Sequence, residues 1–119
     1  MEERRIYEIE LEVPIGKREG MLYVNICKNQ KENDREKIKG KISVLGNLEE
    51  FEGMLADDGK MEVDGWLHSV YRRIRYHGSG ILTEAELEIT LTGVFGVYML
   101  RGKRILEETS EGKRKPEKP

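Results

Sequence analysis

Two histidines, one cysteine and a short glycine-serine-glycine run are the residues of this chain whose types could carry chemistry: His68, His77, Cys27 and Gly78-Ser79-Gly80. Histidine and cysteine could ligate a metal or supply a general base, and a glycine loop could cradle a phosphate. Their spacing argues against each use. The histidines stand nine residues apart and Cys27 lies on a different hairpin, so no pattern of zinc-ligand spacing is present. Gly78-Ser79-Gly80 is too short for a phosphate loop and leads into strand-like sequence rather than a helix. No nucleophile elbow or dinucleotide fingerprint occurs, so the reading carries no catalytic residue, no metal and no cofactor. An enzyme using His68 or His77 as a base would have no motif behind it.

A second group of residues points to binding. Tyr7, Tyr76 and Tyr98 fall in the phase of their segments that carries apolar side chains, and a buried phenol normally seeks a hydrogen-bond partner. They would either cap a core or orient a ligand in an apolar cleft. Trp66 adds a large aromatic surface, and Arg72, in strand phase with Ile74 and Tyr76, is a candidate anchor for a carboxylate. Tyr7, Trp66, Arg72, Tyr76 and Tyr98 are therefore the candidate ligand-binding set. Arg72, Arg73 and Arg75 beside Tyr71 and Tyr76 form a basic aromatic cluster of the kind that binds nucleic acid, but the glutamate-rich strand nearby would neutralise its field.

These residues need a frame, and alternation supplies it. In Glu84–Thr92, Ala85, Leu87, Ile89 and Leu91 occupy one phase and glutamates and threonines the other, the period of a half-buried strand. Tyr7, Ile9, Leu11 and Val13 repeat the pattern, with a four-residue loop Gly16–Glu19 expected to return the chain to Leu22, Val24 and Ile26. Lys28–Glu36 has no apolar residue and reads as a solvated connection. A turn at Gly46-Asn47 would set Ile42 opposite Phe51; Asp57-Asp58-Gly59 would set Leu55 opposite Met61, Gly53 opposite Val63 and Phe51 opposite Gly65. Asn47–Leu55 also carries helix signals, yet the next turn favours a strand. Between Trp66 and Tyr76, helical and strand spacings compete, so a helical turn or a bulged strand would bridge there. A turn at Thr83-Glu84 would set Gly78 opposite Ile89 and Tyr76 opposite Leu91. Finally, Gly93–Gly96 would set Leu91 opposite Tyr98 and Glu88 beside Arg101.

The sum is about eight strands joined mostly by short hairpins, which predicts an all-β, single antiparallel up-and-down β-barrel over residues 1–106, with a two-sheet sandwich as the alternative. Residues 107–119 are charged, contain proline and lack periodicity, and are expected to be a disordered tail. Five glycines, Gly40, Gly53, Gly65, Gly78 and Gly80, fall on the inner face; they would serve either barrel curvature or a cavity.

Composition narrows the setting. The 21 basic and 23 acidic residues nearly cancel, so no global field favours nucleic acid or a membrane surface. The lone cysteine and the charged N-terminus suggest a reducing, cytoplasmic location, and no run approaches the roughly 20 apolar residues of a membrane span.

Val13-Pro14-Ile15-Gly16, Gly20-Met21-Leu22, Ile38-Lys39-Gly40-Lys41-Ile42, Asp58-Gly59, Gly93-Val94-Phe95-Gly96 and Arg101-Gly102-Lys103-Arg104 together give a pattern that resembles small lipocalin-like, calycin-type β-barrel domains. Such domains occur alone in bacteria or appended to enzyme domains, and bring no catalytic motif. The resemblance runs from about Ile6 to Arg104, and the role of such domains is generally uncharacterised; an eight-stranded interior lined by small and aromatic residues is expected to bind a small apolar or amphipathic ligand. The alternative is a structural or protein-interaction module with a solidly packed barrel, able to self-associate as a homodimer through an outer face.

Overall fold

A computed structural model describes residues 2–14, 16–44, 46–68, 73–94 and 96–105. Eight strands, β1 (Glu2–Val13), β2 (Gly16–Glu32), β3 (Arg35–Val44), β4 (Asn47–Ala56), β5 (Lys60–His68), β6 (Arg73–Leu82), β7 (Glu86–Gly93) and β8 (Gly96–Ile105), pair in sequence order. β1 and β8 then pair antiparallel, Ile6 opposite Ile105 and Leu11 opposite Leu100, and close the sheet into a barrel. Closure removes both free edges, which is why a chain with so many charged residues can remain almost wholly strand. The up-and-down barrel is the expected fold, and 47–56 is strand rather than helix.

Inward side chains form one continuous apolar cluster from Tyr7, Ile9 and Leu11 on β1 round to Leu87, Ile89 and Leu91 on β7 and Leu100 on β8. An eight-stranded barrel has an interior that side chains can just fill. Strong coiling brings backbones close at the inward glycines. At Gly80 an added Cβ would collide with the Glu88 carbonyl oxygen on β7, so only glycine fits there.

The pairing of β4 with β5 and of β7 with β8 matches the sequence reading: Phe51 faces Gly65, Leu91 faces Tyr98 and Glu88 faces Arg101. Elsewhere the register slips by an even number of residues, which preserves the inward face. Val13 pairs with Gly16, so the first hairpin is closed already at that pair and Tyr7 faces Leu22. Val44 pairs with Asn47, which sets Gly40 opposite Phe51 and Ile42 opposite Glu49. Leu82 pairs with Leu87, so Gly78 faces Leu91 and Tyr76 faces Gly93. That longer loop is held by Thr83, whose hydroxyl accepts from the Glu86 amide at 3.0 Å and whose amide donates to the Glu86 carbonyl at 2.8 Å.

The charged segment 28–36 is not a loose connection. β2 runs through it with a register shift between Cys27 and Lys31, then reverses at Asn33 and Asp34, both left-handed with φ of 54° and 63°. Two consecutive left-handed residues form the twisted two-residue turn that suits a hairpin. In the 66–76 segment, β5 continues to His68 and β6 begins at Arg73, pairing Leu67 with Ile74 and Trp66 with Arg75. Val70 and Arg72 lie outside the described residues, as does the tail.

Candidate functional site

Alternation along β1 carries Glu3 and Arg5 to the inner face in line with Tyr7, where Glu3 meets the partly exposed Lys28 of β2, which also approaches Glu36 of β3, at one barrel mouth. Arg5 is only 8% exposed. Its Nε donates to Glu3 Oε2 at 2.7 Å, and its Nη1 lies 3.4 Å from both the Tyr7 hydroxyl and the Thr83 carbonyl. Tyr7 donates to that same carbonyl at 2.7 Å. Lys28 Nζ sits 3.1 Å from Glu3 and 3.9 Å from Glu36. The hydrogen bond from Arg5 holds the Glu3 carboxyl below its ordinary value, against the opposing effect of burial. Burial works against the Arg5 charge, and the bonds to Glu3 and Tyr7 outweigh it, raising the guanidinium above its ordinary value. Chemically this is a plug. It satisfies a buried cation and ties the β6–β7 loop to β1.

Tyr76 lies inside the other half of the barrel, 3% exposed, opposite Gly65 and Gly93. No hydrogen bond to its hydroxyl is formed by the described residues. Burial pushes the phenol upward, with the charges of Asp64 and Glu49 adding to it, so the group stays protonated. Its neighbours are crowded: a Cβ added to Gly65 would lie 2.8 Å from the Tyr76 hydroxyl and 2.9 Å from Phe51 Cβ. One added to Gly78 would meet Val63, Leu91 and Ile89 at 2.9 to 3.1 Å. At Gly40 and Gly53 it would strike the carbonyl oxygens of Tyr23 and Glu62.

The five candidate residues do not converge. Tyr7 belongs to the mouth plug, while Tyr76 and the half-buried Tyr98, packed against the core, point inward from the other half. Trp66 alternates with the buried Gly65 and Leu67 and faces outward, with the Arg73 guanidinium 4.4 Å and that of Arg75 5.7 Å from its ring centroid. Arg72 lies outside the described residues. Arg73 also makes a two-pronged bond to Glu49 at 3.0 and 3.1 Å, and His68 Nδ1 stands 3.4 Å from the same carboxylate. His77 pairs with Asp64 at 3.0 Å on the outer wall, well apart from His68 in register. Among the described residues, no three His, Cys, Asp or Glu side chains come together to hold a metal ion.

A groove of about 970 Å³ runs along the outside of the barrel, over β1, β2, β7 and β8. Its lining mixes the carboxylates Glu8, Glu10, Glu19, Glu86 and Glu88 with Arg101, Lys103 and the apolar Met21 and Ile81. Arg101 spans it, 2.8 Å from Glu88 and 3.0 Å from Glu12.

Sequence reasoning missed Arg5. The signal was present, because Arg5 shares the phase of Tyr7, Ile9 and Leu11, but the charged run before Ile6 reads as a solvated flank.

No protein-family model matches the chain, and no curated protein matches it. A solved structure described as a redesigned beta barrel is similar to it, with a TM-score of 0.52 and 14% sequence identity over 87% of this chain and 90% of that one. Likeness at that level of identity shows the fold alone.

Proposed function

We propose that the barrel is a solidly packed, non-enzymatic module that works through its outer surface. The supporting observation is the side-chain crowding over two inward glycines: an added methyl would lie 2.8 Å from the Tyr76 hydroxyl and 2.9 Å from Phe51 Cβ at Gly65, and 2.9 to 3.1 Å from Val63, Leu91 and Ile89 at Gly78. These glycines serve curvature and close packing rather than leaving a ligand chamber. One end agrees with this, closed by the Glu3–Arg5–Tyr7–Thr83 network. Titration with a fluorescent fatty acid tests the reading. It predicts no saturable binding; stoichiometric uptake would overturn it. Trp66 is not the reporter to use, since its ring faces outward.

A second reading, a small apolar ligand in the barrel interior, is favoured by one observation: the buried Tyr76 hydroxyl has no hydrogen bond from the described residues. A ligand bearing one acceptor would satisfy it. On this reading Tyr76→Phe weakens uptake in the same titration; on the packed reading there is no uptake to weaken.

A further inference from the structure

The outer groove over β1, β2, β7 and β8 carries a charge imbalance that the near-zero net charge conceals. Strand register places Glu8, Lys103 and Glu86 in one row across it, and Glu19, Glu10, Arg101 and Glu88 in the next. Five carboxylates therefore line the groove against two cations. Widening the count to the marginal partners Lys17 and Glu12 adds one charge of each sign and leaves the excess unchanged. Arg101 is already held between Glu88 and Glu12, whereas Glu8, Glu19 and Glu86 make no ion pair among the described residues. Glu10 and Glu19 stand directly opposite each other, a like-charge placement that costs stability unless a cation joins it.

The chain supplies such cations close by. β8 leaves the groove through Lys103 and ends at Ile105. The sequence beyond, outside the described residues, segregates its charges: Glu107, Glu108 and Glu111 come first, then Lys113, Arg114, Lys115 and Lys118 with a single carboxylate, Glu117, among them. The seven residues between Ile105 and Lys113 give an extended reach of about 25 Å. Arg101 lies about 14 Å back along β8, and β2 runs about 10 Å to the side, so the whole groove is within that reach.

We infer that the basic segment Lys113–Lys118 docks reversibly in the acidic outer groove of its own chain. Exposed ion pairs are individually weak. Tethering compensates, because a short flexible linker holds the segment at roughly millimolar effective concentration, and a millimolar affinity then keeps it docked about half of the time. Met21 and the exposed Ile81, at the two flanks of the groove, offer apolar surface to the lysine stems. An outside cationic peptide has to displace the segment, which makes it a built-in competitor for this face. The inference rests on the outer-surface reading and names the occupant of one face, and it does not depend on whether the interior is packed.

Paramagnetic broadening in the full chain tests it, with a nitroxide on Gly112→Cys; the native Cys27 is buried and does not compete for the label. At low salt the amides of Glu10, Glu19 and Met21 are expected to broaden, while that of Glu62 on β5 does not. Lys113→Glu with Arg114→Glu and Lys115→Glu removes the broadening, as does about 1 M salt, where the Debye length is about 3 Å. Adding Glu8→Lys, Glu19→Lys and Glu86→Lys to that tail variant reverses the groove as well and restores it. Circular dichroism confirms that the groove variant is folded, and the tail variant alone leaves every barrel residue in place. Broadening at Glu19 that survives the tail changes, or that equals the broadening at Glu62, overturns the inference. Broadening seen only between copies, in a mixture of spin-labelled chain with isotope-enriched unlabelled chain, also overturns it and assigns the groove to a second copy. Fatty acid uptake would leave these outcomes unaltered, so the two readings fail separately.

Discussion

Gly65 and Tyr76 face each other directly across β5 and β6, and the phenol hydroxyl occupies the side of Gly65 where a β-carbon would point, 2.8 Å from it. Substituting Gly65→Ala therefore overpacks the interior at a place also bounded by Phe51. Urea denaturation should show a loss of about 1 to 3 kcal/mol. Combining it with Tyr76→Phe should recover part of that loss, because Phe51 Cβ and the Glu50 carbonyl still crowd the site.

The two buried tyrosines should respond oppositely to loss of their hydroxyls. Tyr7→Phe removes a 2.7 Å bond to the Thr83 carbonyl and one partner of Arg5, and should cost about 1 to 2 kcal/mol. Tyr76→Phe removes a buried hydroxyl that the described residues do not bond, and should leave stability unchanged or raise it. Thermal unfolding of the two variants side by side decides this.

Stability should fall on acidification partly through Glu3. Its carboxyl is held, by the hydrogen bond from Arg5, below its ordinary value of 4.5. A group whose folded value is depressed contributes fully above the unfolded value, and the contribution disappears as the pH falls through the folded value. Glu3→Gln should therefore be less stable at neutral pH and show a flatter decline below about pH 4.5. Denaturation midpoints from neutral to acidic pH provide the measurement.

Trp66 emission should report its outer-face cations and not the core. Arg73→Ala uncovers a ring now faced at 4.4 Å, which should alter its emission and cost about 0.5 to 1 kcal/mol. Core changes such as Ile89→Val should leave the spectrum of the folded protein unaltered.

The fold was largely legible because a period of two identifies the inner face whichever turn closes the hairpin. The registers that slipped, at Tyr7–Leu22, Ile38–Gly53 and Gly78–Leu91, kept their inward residues inward. What alternation cannot specify is turn length: Val13 pairs with Gly16 where a four-residue loop further on is also permissible, and Gly46, with its left-handed φ of 83°, directly precedes Asn47 of the Val44–Asn47 pair rather than opening the turn. Trp66 was hidden by a different ambiguity. Pairing Phe51 with Gly65 already turns Trp66 outward, but the competing helical spacing of Leu67, Val70 and Ile74 obscured that phase. Arg5 was lost because a buried arginine depends on partners, Glu3, Tyr7 and Thr83, the last of which is 78 residues away along the chain.

A solidly packed interior is tested most directly by diffraction from crystals pressurised with xenon, which enters dry apolar cavities and displaces nothing else. With side chains filling the barrel, no ordered xenon should appear among Phe51, Val63, Tyr76 and Leu91. An occupied xenon site beside the Tyr76 ring, enclosed by β4 to β7, would contradict the packed barrel and restore an internal ligand chamber.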